Sequence, residues 1–132
     1  MSNAPKFINL DLVLKSSTDL GPLAHAFEQD ARVDIIAHHE YAGEFTLIAE
    51  LVAHIDGLDA ATLTQHFLAV IAGLPQEAIE LWKSATTRRF DYGFESGEQR
   101  PACEVAVPAT TLVHIGGLGA EIAVTVYPFD PS

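Results

Sequence analysis

Apolar and polar residues alternate from Phe7 to Lys15. Ile8, Leu10, Leu12 and Leu14 fall on one side of an extended chain, and Asn9, Asp11 and Lys15 fall on the other. A period of two predicts a half-buried β-strand. Ser16-Ser17-Thr18-Asp19 then offer helix caps, and Leu20, Leu23 and Phe27 recur at helical spacing to about Glu28. Pro22 is tolerated there because a first-turn residue has no helical partner for its N–H.

The run Val33 to Leu51, VDIIAHHEYAGEFTLIAEL, reads as a β-hairpin, and its loop decides which side chains face inward. A two-residue loop of Ala42 and Gly43 would set Glu40 beside Phe45 and Asp34 beside Leu51, mixing charge and apolar bulk on both faces. A three-residue loop of Tyr41, Ala42 and Gly43, with Gly43 left-handed, separates them. Val33, Ile35, Ala37 and His39 then oppose Leu51, Ala49, Leu47 and Phe45 on an apolar face. Asp34, Ile36, His38 and Glu40 oppose Glu50, Ile48, Thr46 and Glu44 on an acidic one.

After the break at Asp56-Gly57, Asp59 caps a helix whose stripe is Leu63, Phe67, Val70 and Ile71, ended by Gly73. Leu74-Pro75 opens a shorter helix with Glu77 and Glu80 early, Leu81 and Trp82 buried, and Lys83 in the last turn, as the helix dipole favours. Thr86 to Glu95 alternates again, Phe90, Tyr92 and Phe94 against Arg89, Asp91 and Glu95. The polar stretch Ser96 to Cys103 reads as a mobile surface loop. Pro108 begins a short helix carrying Leu112 and Ile115, stopped by Gly116-Gly117 and Gly119. Ala120 to Tyr127 is a last strand with Ile122, Val124 and Val126 inward, ended by Pro128.

The order β, α, β, β, α, α, β, α, β predicts an α+β fold, with a mostly antiparallel sheet of about five strands and three to four helices packed on one face. The 132 residues suit a single domain spanning 1–132, large enough to bury a core without metal or disulfide support. The 48% hydrophobic content and mean hydropathy of +0.20 exclude a disordered chain, and no apolar run reaches the length of a membrane span. The one cysteine, Cys103, excludes an internal disulfide and suits a reducing compartment. With no secretion signal in view, a cytoplasmic location is expected.

Eighteen acidic against seven basic residues give a net charge of −11. Such a field repels phosphate backbones and anionic membranes, so neither nucleic acid nor a membrane is an expected partner. A basic protein is the partner it would attract.

Motifs for chemistry are few. His38-His39-Glu40 puts two histidines on opposite sides of a strand and lacks the HExxH spacing of a zinc helix. His39, beside Phe45, reads as a core or edge histidine. His25, His54, His66 and His114 include no i, i+4 pair on one helix. Cys103 has no sequence neighbour to lower its pKa and reads as a partly buried thiol. Gly116-Gly117-Leu118-Gly119 leads from a helix into a strand, the reverse of a phosphate loop, and reads as a helix C-cap. Lys83, Arg88 and Arg89 are too few for nucleic acid and suit neutralisation of Asp91 or Glu95.

The run Phe90-Asp91-Tyr92-Gly93-Phe94-Glu95, a polar loop, a helix ending Ile115-Gly116-Gly117-Leu118-Gly119-Ala120, and the strand Ile122 to Tyr127 together resemble the end of a family of small bacterial domains, some of which sit among the immunity proteins of toxin systems. The resemblance covers about 40 residues and carries no catalytic positions. It implies a non-enzymatic, protein-binding role such as holding a toxin inactive.

The expected function is therefore an acidic binding protein, for instance an immunity protein covering the basic active site of a nuclease-like toxin domain. Asp34, His38, Glu40, Glu44, Glu50, Glu95, Glu98 and Glu104 are its expected contact residues. No catalytic residue, cofactor or metal is assigned. The alternatives are a small enzyme or metal-dependent site on the hairpin, using His38 with Glu40 or Glu44, and a housekeeping domain that self-associates as a homodimer through its sheet.

Overall fold

The computed structural model describes residues 6–51, 59–97 and 103–128. The elements are β1 (Lys6–Ser16), α1 (Gly21–Glu28), β2 (Val33–Tyr41), β3 (Glu44–Leu51), α2 (Ala60–Ala72), α3 (Gln76–Ser84), β4 (Thr87–Glu95), α4 (Ala109–Gly117) and β5 (Glu121–Tyr127). The order is the one the hydrophobic pattern predicts. Five strands form one mixed sheet in the order β2-β3-β1-β4-β5. β4 and β5 are parallel, joined by the α4 crossover, and the other three pairings are antiparallel. The Asp56-Gly57 break, Glu98 and most of the Ser96–Cys103 loop lie outside the described residues.

The helices cover one side of the sheet, and the core lies between them. Leu10, Leu12 and Leu14 of β1, Leu47 and Ala49 of β3, and Phe90 and Tyr92 of β4 are buried against Leu23 and Phe27 of α1, Phe67 and Ile71 of α2, Trp82 of α3 and Ile115 of α4. Phe67 meets Phe90 edge to face at 6.4 Å between ring centres, a favoured aromatic geometry. Burial sends the Tyr92 phenol pKa upward. The Thr64 hydroxyl donates to the Ala60 carbonyl (2.7 Å), so the Tyr92 hydroxyl donates to Thr64 (2.7 Å) and leaves no buried donor idle.

The helix ends follow the local sequence. Asp59 Oδ1 accepts the Thr62 N–H (2.8 Å), and Gly73 closes α2. α4 ends in a Schellman arrangement: the Ala120 N–H donates to the Ile115 carbonyl (3.1 Å) and the Gly119 N–H to the Gly116 carbonyl (3.0 Å), with Gly119 at φ +72°. The Leu118 carbonyl at this turn accepts the Trp82 indole N–H (3.0 Å). Arg88 does not neutralise an acid as expected. Its guanidinium donates to the carbonyls of Trp82 and Lys83 at the end of α3, of Ala85 just after it, and of Gly119, tying α3 to the turn before β5.

Four local patterns fold differently from expectation. The hairpin loop is the two-residue Ala42-Gly43, at φ +53° and +83°, because a turn left-handed at both positions matches the twist of the flanking strands. Its cost in mixed faces is relieved by a β-bulge at Ile36. Val33, Asp34 and Ile35 keep the expected partners Leu51, Glu50 and Ala49, but beyond the bulge His38 opposes Leu47, His39 opposes Thr46 and Glu40 opposes Phe45. His38 and Glu40 thus stand on the helix side, and His39 stands exposed on the other side instead of beside Phe45.

In β1 an irregularity between Phe7 and Asn9 turns Phe7, not Ile8, inward, where its ring lies 5.6 Å from Phe94. Leu81, expected to be buried, is half-buried. In β5, Ile122, Val124 and Val126 do lie on the helix side, but β5 is an edge strand beyond full helical cover and all three are exposed.

Candidate functional site

Among the described residues no helix lies over the other side of the sheet, and there the strand registers bring distant acids into line. Asp34 of β2 opposes Glu50 of β3, Glu50 opposes Asp11 of β1, and Asp11 opposes Asp91 of β4. Direct partners in a sheet share a face, so four carboxylates stand in a row across four neighbouring strands, spanning about 14 Å at the usual strand spacing. Three of the four lie on strands whose buried leucines, alanine and aromatics anchor the opposite side.

The row is held by polar neighbours. The Asn9 amide donates to Asp11 Oδ1 (3.3 Å) and Glu50 Oε2 (3.5 Å), and the Thr125 hydroxyl of β5 donates to Asp91 Oδ1 (2.8 Å). Room for the Asn9 side chain comes from Gly93 directly opposite: a Cβ at position 93 would collide with Asn9 Oδ1.

Burial first, then the hydrogen bond with Glu50, then the charges of Glu50 and Asp91, push the Asp11 carboxyl from its ordinary 3.8 up to about 7. Asp11 is therefore the proton-holding member near neutrality. Adding a cation to this face would lower that value and release the proton, so the row can trade a proton for a positive side chain.

The expected contact residues divide. Asp34 and Glu50 belong to the row. Glu44 and Glu95 stand on the same face at its margins, Glu95 already 3.9 Å from Lys6 Nζ. His38 and Glu40 are on the helix side, His38 Nε2 lying 4.0 Å from Asp19 Oδ1, so Glu40 and Glu44 are separated by the sheet and cannot share an ion. Glu104 is exposed in the segment between β4 and α4, outside the sheet. Among the described residues no group of three or more His, Cys, Asp or Glu is arranged to hold a metal. Arg89 Nη2 faces Glu121 Oε1 at 3.5 Å, not Asp91 or Glu95.

Asp11, Asp91, Asn9 and Thr125 are the members that sequence reasoning missed. The alternation that placed Asp11 opposite the leucines and Asp91 opposite Phe90 and Tyr92 was the available signal, but only the strand order makes them neighbours. A cleft of about 540 Å³ lies on the helix side, among α1, α2 and α3, with His25, Asp30 and Glu77 at its wall. It is separated from the row by the core. Among the described residues the seven carboxylates of the open face (Asp11, Asp34, Glu44, Glu50, Asp91, Glu95 and Glu121) outnumber its three cations, Lys6, Lys15 and Arg89.

Comparison of the chain with known protein families, with curated proteins and with solved structures finds no match. No helix among the described residues is long and apolar enough to cross a membrane.

Proposed function

We propose that the chain is a non-enzymatic binding protein that docks a basic protein partner on the open face of its sheet. The observation that carries this reading is the row Asp34, Glu50, Asp11 and Asp91, set in register on a face that no helix among the described residues covers. Complementary charge speeds encounter and fixes orientation, and a row of acids on a rigid sheet presents that charge in one geometry. A toxin domain with a basic active site is a fitting partner, since covering such a site with carboxylates both blocks and neutralises it; this is the role of an immunity protein. A cytoplasmic setting, with its reduced thiols, suits the reading. The same charge disfavours nucleic acid and anionic membranes.

The test separates this face from net charge. Binding of a labelled oligo-arginine peptide is measured by fluorescence anisotropy at low and high salt, for the native chain, for a D34N/E50Q/D91N variant, and for an E28Q/E77Q/E80Q variant that removes three charges from exposed helical positions. The expected result is salt-sensitive binding that the open-face variant weakens at least tenfold and the helical variant changes little. Equal weakening by both variants would reject the site.

A further inference from the structure

The two edges of the sheet are unlike. β2 carries Asp34, His38, His39 and Glu40 and is bent by the bulge at Ile36, features that discourage a further strand. β5 has no proline, lysine or bulge, and no charge from Ile122 to Tyr127. The Ser96 N–H donates to the Tyr127 carbonyl (2.9 Å). By the alternation of a parallel ladder, Ala123, Thr125 and Tyr127 therefore direct their backbone groups to β4, and Ile122, Val124 and Val126 direct theirs outward. The side chains of these three are 40%, 62% and 60% exposed, and α4, which leads into β5, leaves Val113 71% exposed.

We propose that a second copy of the chain occupies this edge, β5 pairing antiparallel with β5 of the partner about a twofold axis at Val124, so that the two sheets become one. The strand is self-complementary in that register. Val124 faces Val124 of the partner subunit, Ile122 faces the partner's Val126, and Ala123 faces the partner's Thr125. Glu121, already opposite Arg89, faces the partner's Tyr127, so no like charges are opposed. On a chain of net charge −11, this uncharged edge is where a second copy meets least repulsion. The exposed side chains of Ile122, Val124 and Val126 supply the apolar surface that the pairing would cover. The open faces of both copies stay free, so the dimer does not depend on the partner proposed above.

Sedimentation equilibrium from 1 to 200 µM, at about 0.15 and 0.5 M salt, reads the association. The native chain should form a dimer that tightens with salt as the net charge is screened. V124K, at an exposed position and checked for folding by circular dichroism, should weaken it at least tenfold, whereas I36K on the opposite edge should not. Independently, V124C in a C103S background should be joined into a covalent dimer by a short bis-maleimide, since the two cysteines of a hydrogen-bonded antiparallel pair lie about 5–6 Å apart, within reach of such a linker. A native chain that stays monomeric at 200 µM, a dimer indifferent to V124K, or V124C chains that do not cross-link would overturn the proposal.

Discussion

Asp11 and Leu12 are consecutive residues of the central strand, and the sheet sends them to opposite fates. Leu12 is fully buried beneath the helices; Asp11 lies on the bare face between two other acids. On the helix side, stability comes from apolar area removed from water and from close packing. On the open side, the same strands hold carboxylates together against their repulsion. One face of each strand supplies the energy that lets the other keep an unfavourable arrangement.

The comparison makes three graded predictions. The largest effect belongs to the buried side: Leu12→Ala should cost about 3–4 kcal/mol in urea unfolding, because a completely enclosed site cannot collapse around the lost methylenes. A cost near 1 kcal/mol would mean that the two faces are less unequal than described.

Asp11→Asn should act in the opposite direction. A carboxyl whose folded pKa is raised from 3.8 to about 7 binds its proton more tightly folded than unfolded, so its contribution is fully present below pH 3.8 and lost as pH rises towards 7. The native chain should therefore lose stability between about pH 4 and 7 through this group. The asparagine variant should lack that loss and be more stable at pH 8 by about 1–2 kcal/mol, less than the full shift because solvent screens a partly exposed group. Binding of the basic peptide should run the other way, strengthening from pH 6 to 8 in the native chain as Asp11 becomes charged, and staying flatter in the variant. A native stability profile that rises from pH 4 to 7 along with the variant's would remove Asp11 from this role.

The smallest effect tests how the row is supported. Gly93→Ala should cost about 1–2 kcal/mol by displacing the Asn9 amide. In the Asn9→Ala background the same change should cost at least about 0.5 kcal/mol less, a coupling read from a double-mutant cycle. Additive costs would place the strain elsewhere on β4.

Element types were legible because each rests on a local periodicity: the leucines of β1, the aromatics of β4, the Asp59 cap, the glycine stop after α4. The hairpin register was not. A loop of three residues looked better because the alternation was carried through Ile36 unbroken, and a bulge leaves no mark in the order of polar and apolar residues. Nor was the exposure of Ile122, Val124 and Val126 legible, since an alternating strand reads alike at the centre and the edge of a sheet. Of the eight acidic and histidine positions expected at the site, Asp34 and Glu50 enter the row because they precede the bulge in register. His38 and Glu40 follow it and are carried to the other side.

The amino-acid order by itself determined which segments become helix or strand and which side of each strand is apolar, because both follow from contacts within a few residues. The adjacency of Asp11 to Glu50, 39 positions away, and to Asp91, 80 positions away, was decided only when β1 took the centre of the sheet between β3 and β4. Strand order and bulges arise from how complete strands pack and twist against one another. That choice belongs to the assembled chain, and it placed the acids side by side and left β5 uncovered.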